Sequence, residues 1–314
     1  MNEAIVFEPI FMERVWGGRR LEIMFGKALP QGVPVGEVWE FVDRAEAQSV
    51  VHEGPHAGRL LHDLWSDYRG EVFGRDYLRH PAKRFPLLIK LLDAKDRLSV
   101  QVHPPARLAD SLGGEPKTEM WYFVRCAPSS LIYAGVARGT TRDSFAALVR
   151  SGRVEKALHK IAVRTGDSIF IPSGRLHAIG EGNVIVEIQQ NSDTTYRVFD
   201  WNREGLDGKP RALHIEESLA CIDFEDVEPE VEHHSEGVLA ECPFFQVEKV
   251  HLRQPISPAS SGRFAIVAVL ENGVACGSRQ FSPGSFFLVP ADAGSLEVCP
   301  QGGDAEILVT TLPV

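Results

Sequence analysis

Short apolar runs separated by turn residues dominate the chain from about residue 86 onward. The first two, PLLIKLLDA (86–94) and LSVQVH (98–103), have the length of strands, and the first is apolar enough to be buried on both faces. Further strands are predicted in EMWYFVRC, SLIYAGV, KIAVRT, DSIFIPS, NVIVEIQQ, TTYRVFDW, CPFFQVEKVHL, GRFAIVAVL, GSFFLVP and AEILVTTL. Such a succession predicts a mainly β fold, built as a sandwich or barrel with a few helices.

Three segments have helical periodicity instead, at 60–78, 140–160 and 215–222. In the second, Thr141 or Asp143 can cap the helix and Gly152 divides it in two. Residues 1 to about 60 are rich in Gly, Pro and aromatic residues and show few periodic runs. We therefore expect them to form irregular structure that covers the rest of the molecule.

An acidic segment and a short repeated motif, the echo, indicate how the chain divides into domains. Residues 223–236 hold seven acids and no Lys or Arg, which predicts a solvated linker or a domain-edge strand. The sequences GDSIFIP (166–172) and GSFFLVP (284–290) share the pattern Gly-x5-Pro, which favours a duplicated β-barrel. The predicted domains are 1–236, ending in the acidic linker, and 237–314.

Composition narrows the class of protein. The 314 residues carry a formal net charge of -10, which argues against a nucleic-acid partner because such surfaces are usually basic. The amino-terminal residues lack the basic and apolar regions of a signal peptide, and no run approaches the length of a membrane span, so no membrane partner is expected. Five widely spaced cysteines without a CxxC pair predict reduced thiols in a cytoplasmic protein.

Four polar residues of the first β region form a candidate metal site: Gln101, His103, Glu119 and His177. Gln101 and His103 are two residues apart on a predicted strand, so both point to one face. Two imidazoles, a carboxylate and an amide oxygen suit Zn²⁺ or a similar divalent ion. Taken one by one, each could instead make an ordinary hydrogen bond.

The run GDSIFIPSGRLH fits Gly-x5-Pro-x-Gly-x2-His, which resembles the second signature of the cupin superfamily. The first signature is altered, since Gln101-Val102-His103 stands for His-x-His and Glu119 follows after a long insertion. Position 181, where the superfamily has Asn, is Glu. In the echo, position 295 corresponds to His177 and is Ser, so the second barrel is predicted to lack a metal site.

The altered pattern points to one family. The runs IKLLDAKDRLSVQVHPP, KTEMWYFV, IPSGRLHAIGEG and VEIQQNSDTTYRVFDW closely resemble the type I mannose-6-phosphate isomerases in their short bacterial form, and RVWGG and GEVWEF fit the amino-terminal region of that family. The resemblance implies a bicupin of two jelly-roll barrels that interconverts mannose 6-phosphate and fructose 6-phosphate through a cis-enediol. It also implies one zinc ion per chain, held by Gln101, His103, Glu119 and His177.

The resemblance places three basic residues at the active site: Lys90, Lys117 and Arg197. All three are implied to bind the substrate, with Arg197 and Lys117 as catalytic residues. The residues themselves agree in part, because a lysine inside the apolar strand PLLIKLL needs a partner, a cavity or a substrate. The alternative is an edge strand with Lys90 facing solvent. Together with a divalent ion whose only charged ligand is Glu119, these three basic residues are expected to make a locally positive site that suits a small anionic sugar phosphate.

Some questions stay open at the level of sequence. The proton-transfer base is unassigned: Glu187 and Glu37 are both candidates, and either could be a hydrogen-bond acceptor behind the reacting groups. A metal-dependent cupin oxygenase and a non-catalytic sugar-binding bicupin are the alternative functions. Lys90, Lys117 and the Gln101 ligand weigh against the oxygenase, and the intact ligand set weighs against the binding protein. The oligomeric state is not predicted.

Overall fold

A computed structural model describes residues 3–260, 262–291 and 296–314. Its strands are β1 (Ile10–Gly18), β2 (Val35–Phe41), β3 (Leu87–Ala94), β4 (Val100–Val102), β5 (Glu119–Cys126), β6 (Leu131–Val136), β7 (Leu158–Ala162), β8 (Asp167–Ile171), β9 (His177–Ile179), β10 (Asn183–Gln190), β11 (Tyr196–Phe199), β12 (Glu232–His233), β13 (Gly237–Glu241), β14 (Gln246–Leu252), β15 (Ala265–Cys276), β16 (Arg279–Phe281), β17 (Phe286–Val289) and β18 (Val298–Thr311). Its α-helices are α1 (Arg20–Phe25), α2 (Leu61–Asp67), α3 (Arg69–Val72), α4 (Ala106–Ala109), α5 (Arg142–Arg150) and α6 (Ile215–Cys221). The prediction of a mainly β fold is confirmed.

The described strands form three antiparallel sheets. The first has seven strands in the order β1-β2-β3-β10-β5-β8-β12, and the second has five in the order β11-β4-β9-β6-β7. The third has the order β13-β14-β18-β15-β16, with β17 paired to β15. The two-barrel description stays a prediction, and so does the division at residue 236.

The seven-stranded sheet is buried on both faces. On one face, residues such as Trp121 and Ile185 pack with Ile132 and Ile179 of the five-stranded sheet. On the other face, side chains of β3, β5 and β10 share a core with the six-stranded sheet and with α2 and α3. This arrangement explains why β3 is apolar almost throughout, as predicted.

The helix predictions are confirmed, with corrected bounds. The segment 60–78 is broken into α2, α3 and a 3-10 turn at Arg75–Tyr77. Helix α5 is capped by Thr141, whose hydroxyl accepts a hydrogen bond from the Ser144 amide. Gly152 follows with a φ of 66°, and a 3-10 turn at Val154–Ala157 leads into β7.

The expectation of irregular structure in residues 1–60 is wrong. The region contributes β1 and β2 to the seven-stranded sheet, and β2 is buried along its whole length. Glycine makes this pairing possible, because a Cβ on Gly36 would lie 2.6 Å from atoms of Arg14 and Trp16. Glycine and glutamate in these strands hide the β pattern that aliphatic residues would have shown.

The acidic segment 223–236 is folded onto the first two sheets. Val227 forms a bridge with Val136 at the end of β6, and β12 pairs with β8 at the edge of the seven-stranded sheet. The domain-edge alternative therefore describes β12 better than a solvated linker does. The two halves of the echo are both strands, β8 and β17, each preceded by a glycine of positive φ. Ser295 lies outside the described residues.

All five cysteines are free in the described structure. Within the described residues, no helix combines the length and the apolar character needed to cross a membrane.

Candidate active site

The four predicted metal ligands come together between the seven- and five-stranded sheets. Gln101 of β4 lies opposite His177 of β9, and His103 follows β4 by one residue. Glu119 begins β5 in the other sheet. The ligand atoms of His103, Glu119 and His177 lie within 4.8 Å of one another, and all three side chains are buried.

The separations of these atoms match those around a single ion. His103 Nε2 lies 3.5 Å from Glu119 Oε2, and His177 Nε2 lies 3.6 Å from Glu119 Oε1. Ligands held about 2.0 to 2.2 Å from a tetrahedral zinc ion are roughly 3.4 Å apart. The three side chains can therefore meet one ion with small adjustments.

Backbone carbonyls fix the tautomers of both histidines. His103 Nδ1 donates to the Thr194 carbonyl at 2.8 Å, and His177 Nδ1 donates to the Arg175 carbonyl at 2.9 Å. A carbonyl can only accept, so each Nδ1 carries the proton and each Nε2 keeps its lone pair. This is the arrangement by which proteins orient neutral imidazoles toward a metal.

Buried polar atoms without a hydrogen-bond partner show whether the cluster suits a metal ion. Within the described chain, His103 Nε2 and Glu119 Oε1 are buried without a hydrogen-bond partner, whereas Glu119 Oε2 lies 3.1 Å from Lys117 Nζ. Such atoms are costly unless something binds them. Gln101 Nε2 faces His177 Nε2 at 3.2 Å, and a flip of the amide would turn its oxygen toward the same point. The donor set thus fits a divalent metal ion.

Burial sets the protonation of this cluster in the absence of an ion. It lowers the pKa of His177 to about 4 and the pKa of His103 well below its usual range. Burial also raises the pKa of Glu119 to about 7, although Lys117 opposes this shift. Lys117 Nζ lies 3.1 Å from Glu119 Oε2, and its own pKa is raised because Glu119 and Glu187 outweigh its burial. Both histidines are therefore neutral, as metal ligands must be.

Lys90 lies in the interior and is compensated by two carboxylates. It is 3% exposed, on a strand in the middle of the seven-stranded sheet, so the edge-strand alternative is wrong. Its Nζ lies 3.1 Å from Glu187 Oε1 and 3.9 Å from Glu37 Oε2. The indole of Trp39 adds a cation–π contact at 5.4 Å.

Glu37 and Glu187 differ in the number of donors that hold each carboxylate. Arg14 holds Glu37 through two hydrogen bonds of 3.0 and 3.1 Å, and the Trp39 indole donates a third of 2.7 Å. Burial would raise the pKa of Glu37, but Lys90 and Arg14 lower it to about 2. Glu187 Oε2 accepts a hydrogen bond from the indole of Trp121, and Glu187 Oε1 faces Lys90. The pKa of Glu187 is lowered by Lys90 and Lys117 against the effect of burial. Both are carboxylates at neutral pH.

Arg197 is the third predicted basic residue, and it lies beside the ligands. It pairs with Gln101 across β11 and β4. Its guanidinium donates to the Ala212 carbonyl at 2.9 Å and to the Ser99 hydroxyl at 3.3 Å. Among the described residues, no carboxylate lies within ion-pairing distance of it. This cation is therefore available to an anionic ligand.

A cavity of about 580 Å³ opens beside the cluster. Gln101, Lys90, Lys117, Arg197 and Glu187 all line it. Among the described residues that line it, five are cationic and five are anionic, so the positive charge expected around a bound divalent ion stays a prediction. Carboxylates that the sequence did not pair with them neutralise the buried lysines. A bound cation would make the net charge of the cavity positive.

Sequence reasoning missed Arg14, which lines the cavity and locks Glu37. The available signal was the spacing of Arg14 and Trp16, which lie two residues apart and both line the cavity. It was hidden because β1 was not recognised as a strand. Asp207 and Leu206, from the loop after β11, also line the cavity.

Comparison with known proteins agrees with this geometry. The pattern of the phosphomannose isomerase type I catalytic domain matches residues 5–132. Mannose-6-phosphate isomerase ManA of Bacillus subtilis (strain 168) is 35% identical over 324 residues, covering 99% of each chain. Mannose-6-phosphate isomerase of Streptococcus mutans serotype c is 34% identical over 320 residues, covering 96% of this chain and 98% of the relative.

Solved structures give the same result. The crystal structure of the mannose 6-phosphate isomerase from Bacillus subtilis superposes with a TM-score of 0.84 at 30% identity, over 98% of this chain and 99% of the other. A putative mannosephosphate isomerase from Archaeoglobus fulgidus shares the fold, with a TM-score of 0.80 at 24% identity over 99% and 98% of the two chains. With relatives this similar over its whole length, the chain belongs to the phosphomannose isomerase type I family, as its motifs predicted.

Proposed function

We propose that this protein is a zinc-dependent isomerase that interconverts mannose 6-phosphate and fructose 6-phosphate through a cis-enediol. The observation that carries the proposal is the pair of unpartnered buried atoms, His103 Nε2 and Glu119 Oε1, beside a polar cavity, in a chain of this family. One zinc ion per chain, held by Gln101, His103, Glu119 and His177, suits two neutral imidazoles, a carboxylate and an amide.

The reaction moves a proton between C2 and C1 of the sugar, with compensating proton transfer between the oxygens. It needs a base near these carbons and positive charge near the oxygens, where negative charge develops. When bound, zinc supplies a Lewis acid for the sugar oxygens. The remaining requirements fall to the side chains that line the cavity.

Glu187 is the better candidate for the base. It lines the cavity, it is a carboxylate at neutral pH, and Trp121 and Lys90 hold it in place. Glu37 also lines the cavity, but it is held by three hydrogen bonds from Arg14 and Trp39, whereas Glu187 has one indole and one ammonium donor. We therefore assign proton transfer to Glu187 and a positioning role, exerted through Lys90, to Glu37.

The basic residues divide the remaining work. Arg197 has no carboxylate partner among the described residues, and it is free to bind the phosphate or to stabilise the enediolate. Lys117 lies beside Glu119 and adds positive charge where the sugar oxygens gather. Lys90 lines the cavity, where it can contact the substrate, and it also holds Glu187 through an ion pair.

A coupled assay tests the proposal. Purified protein is given mannose 6-phosphate, and fructose 6-phosphate is detected through glucose-6-phosphate isomerase and an NADP-linked dehydrogenase. We expect turnover that is lost after removal of metal by a chelator and restored by zinc. Free mannose serves as the matched substrate and should turn over far more slowly. Turnover that survives complete metal removal would refute the metal requirement.

The alternative functions receive less support. Relatives covering nearly the whole chain are named as isomerases, which favours isomerisation over oxygen chemistry. The Lys90–Glu187 pair within the cavity also favours a reaction that moves protons over simple sugar binding. Oxygen uptake by the purified protein, or sugar binding without turnover, would reverse this preference.

A further inference from the structure

The turn that precedes His177 is hydrogen-bonded to the acidic segment 223–236. This turn runs from Pro172 to Arg175, with the Arg175 amide donating to the Pro172 carbonyl at 3.0 Å. Gly174 has a φ of 99°, which a type II turn requires at its third position. The Gly174 amide donates to the His103 carbonyl, and the Gly174 carbonyl accepts from the Asp223 amide, both at 2.9 Å.

Arg175 connects this segment to the metal ligand. Its side chain donates through Nε and Nη2 to the two carboxylate oxygens of Asp226, each at 2.7 Å. Its Nη1 donates to the Phe170 carbonyl at 2.6 Å. Its own backbone carbonyl accepts the Nδ1 proton of His177 at 2.9 Å. One residue thus joins Asp226 to the imidazole that faces Glu119.

We propose that Asp226 is a positioning residue, which acts through Arg175 to hold His177 in the orientation that binds the metal ion. The inference rests on the proposed metal site and adds a residue from the segment 223–236, which the sequence predicts to be a solvated linker or a domain-edge strand. A bidentate arginine–carboxylate pair fixes direction as well as distance. Mutation of a group that orients a metal-bound histidine commonly weakens metal affinity by 10- to 100-fold.

Asp226 is itself anchored, which lets it act as a fixed point. Its backbone carbonyl accepts from the Val136 amide at 3.0 Å, at the end of β6. The side chains of Arg175 and Asp226 are 14% and 17% exposed, so water competes little for this pair. With the side chain of Arg175 held at Asp226 and Phe170, its carbonyl has little freedom to turn away from His177.

The same segment provides a matched control. Glu228, two residues after Asp226, pairs with Arg138, whose side chain is 82% exposed. Among the described residues, the hydrogen bonds and the ion pair of the Glu228 carboxylate go to Arg138, and none goes to the turn 172–175 or to His177. Its removal therefore tests for a general loosening of the segment without touching the proposed connection.

The experiment measures zinc affinity by competition with a chromophoric chelator for the full-length protein and its variants. Asp226→Ala should weaken binding about tenfold, Arg175→Ala should weaken it by a similar factor, and the double variant should lose little more than either. Glu228→Ala should bind as the parent protein does. The absorption bands of the cobalt-substituted protein should shift in Asp226→Ala and stay in place in Glu228→Ala. Urea unfolding of each metal-free variant reports any change in stability separately.

The outcomes separate the two levels of the proposal. If the parent protein binds no zinc, or His177→Ala binds as tightly as the parent, the metal site itself is wrong. If the parent binds and His177→Ala does not, but Asp226→Ala keeps full affinity and unchanged cobalt bands, only the positioning role is refuted. An equal loss in Glu228→Ala would also refute it, since the effect would then come from the segment as a whole.

Discussion

Lys90 and Glu187 lie directly opposite each other on β3 and β10, with Lys90 Nζ 3.1 Å from Glu187 Oε1 in the interior of the molecule. Glu37 joins them from β2, so one ammonium group is shared by two carboxylates. This row of charges across adjacent strands sets the protonation of the cavity wall.

Glu187→Gln should abolish most of the isomerase activity. The amide keeps the shape of the side chain and can still accept from the Trp121 indole, but it cannot take up a proton. We expect kcat to fall by about 100-fold or more with zinc content unchanged. Steady-state kinetics and metal analysis check this, with Glu37→Gln for comparison. A larger loss in Glu37→Gln would move the base to Glu37.

Lys90→Met should shift the pH dependence of activity. Burial favours the protonated form of Glu187, and Lys90 lowers the pKa of this carboxyl group. Loss of Lys90 raises that pKa, so the base becomes available only at higher pH. The acidic limb of the kcat/KM profile should move to higher pH, while the exposed variant Lys156→Met leaves it in place. An unchanged limb would show that Glu187 does not control it.

His103→Ala should remove the metal ion together with the activity. The imidazole contributes one of the ligand atoms gathered around Glu119, and alanine leaves the carboxylate buried beside Lys117 alone. We expect zinc content after dialysis to fall from about one ion per chain to nearly none. The matched control is His234→Ala, outside the cluster. Full zinc content and full turnover in His103→Ala would exclude this residue as a ligand.

Arg197→Met should reduce kcat/KM for mannose 6-phosphate by about 100-fold, because a cation beside the developing charge is lost. Arg197→Lys should recover part of this, since it keeps the charge but loses the planar fork. The exposed variant Arg150→Met controls for the change in net charge. A loss confined to KM would assign Arg197 to phosphate binding, and a loss in kcat would assign it to the enediolate.

Phe264→Ala should destabilise the whole chain. Phe264 packs edge-on against Phe73, Tyr77 and Phe85, with ring centroids 5.0, 5.4 and 6.0 Å away. Truncation of a fully buried phenylalanine costs about 3 to 5 kcal/mol of unfolding free energy. Urea unfolding measures this, and Phe244→Ala, on a partly exposed ring, should cost much less. A small loss in Phe264→Ala would mean that the aromatic cluster repacks.

The sequence predicted the strands from residue 86 onward well, because strands depend on local pattern. The metal ligands stay a prediction, although the structure brings three of them together. The run EMWYFVRC coincides with β5, and the two-residue spacing of Gln101 and His103 does bring both to one region of the structure. Glu119 is reached over a long insertion, and it joins them through the family motif rather than through spacing alone. The family itself is confirmed by relatives that cover the whole chain.

The errors have a common physical origin. Strand β2 carries Glu37 and Gly36 at buried positions, and a buried charge looks exposed until its partner is known. Its partners, Arg14 and Lys90, lie on neighbouring strands whose register is set only in the folded chain. The same holds for Asp226, which reaches Arg175 across 51 residues. Long-range charge pairing is therefore what the linear pattern could not show.

The origin of the ligands in two different sheets has a consequence for how the molecule comes apart. Glu119 belongs to the seven-stranded sheet, whereas Gln101 and His177 belong to the five-stranded sheet. An ion held by all three would bridge the two sheets. Bound zinc would thus link the two sheets as well as take part in catalysis. Removal of the ion should therefore lower the free energy of unfolding, because the link between the two sheets is lost with it.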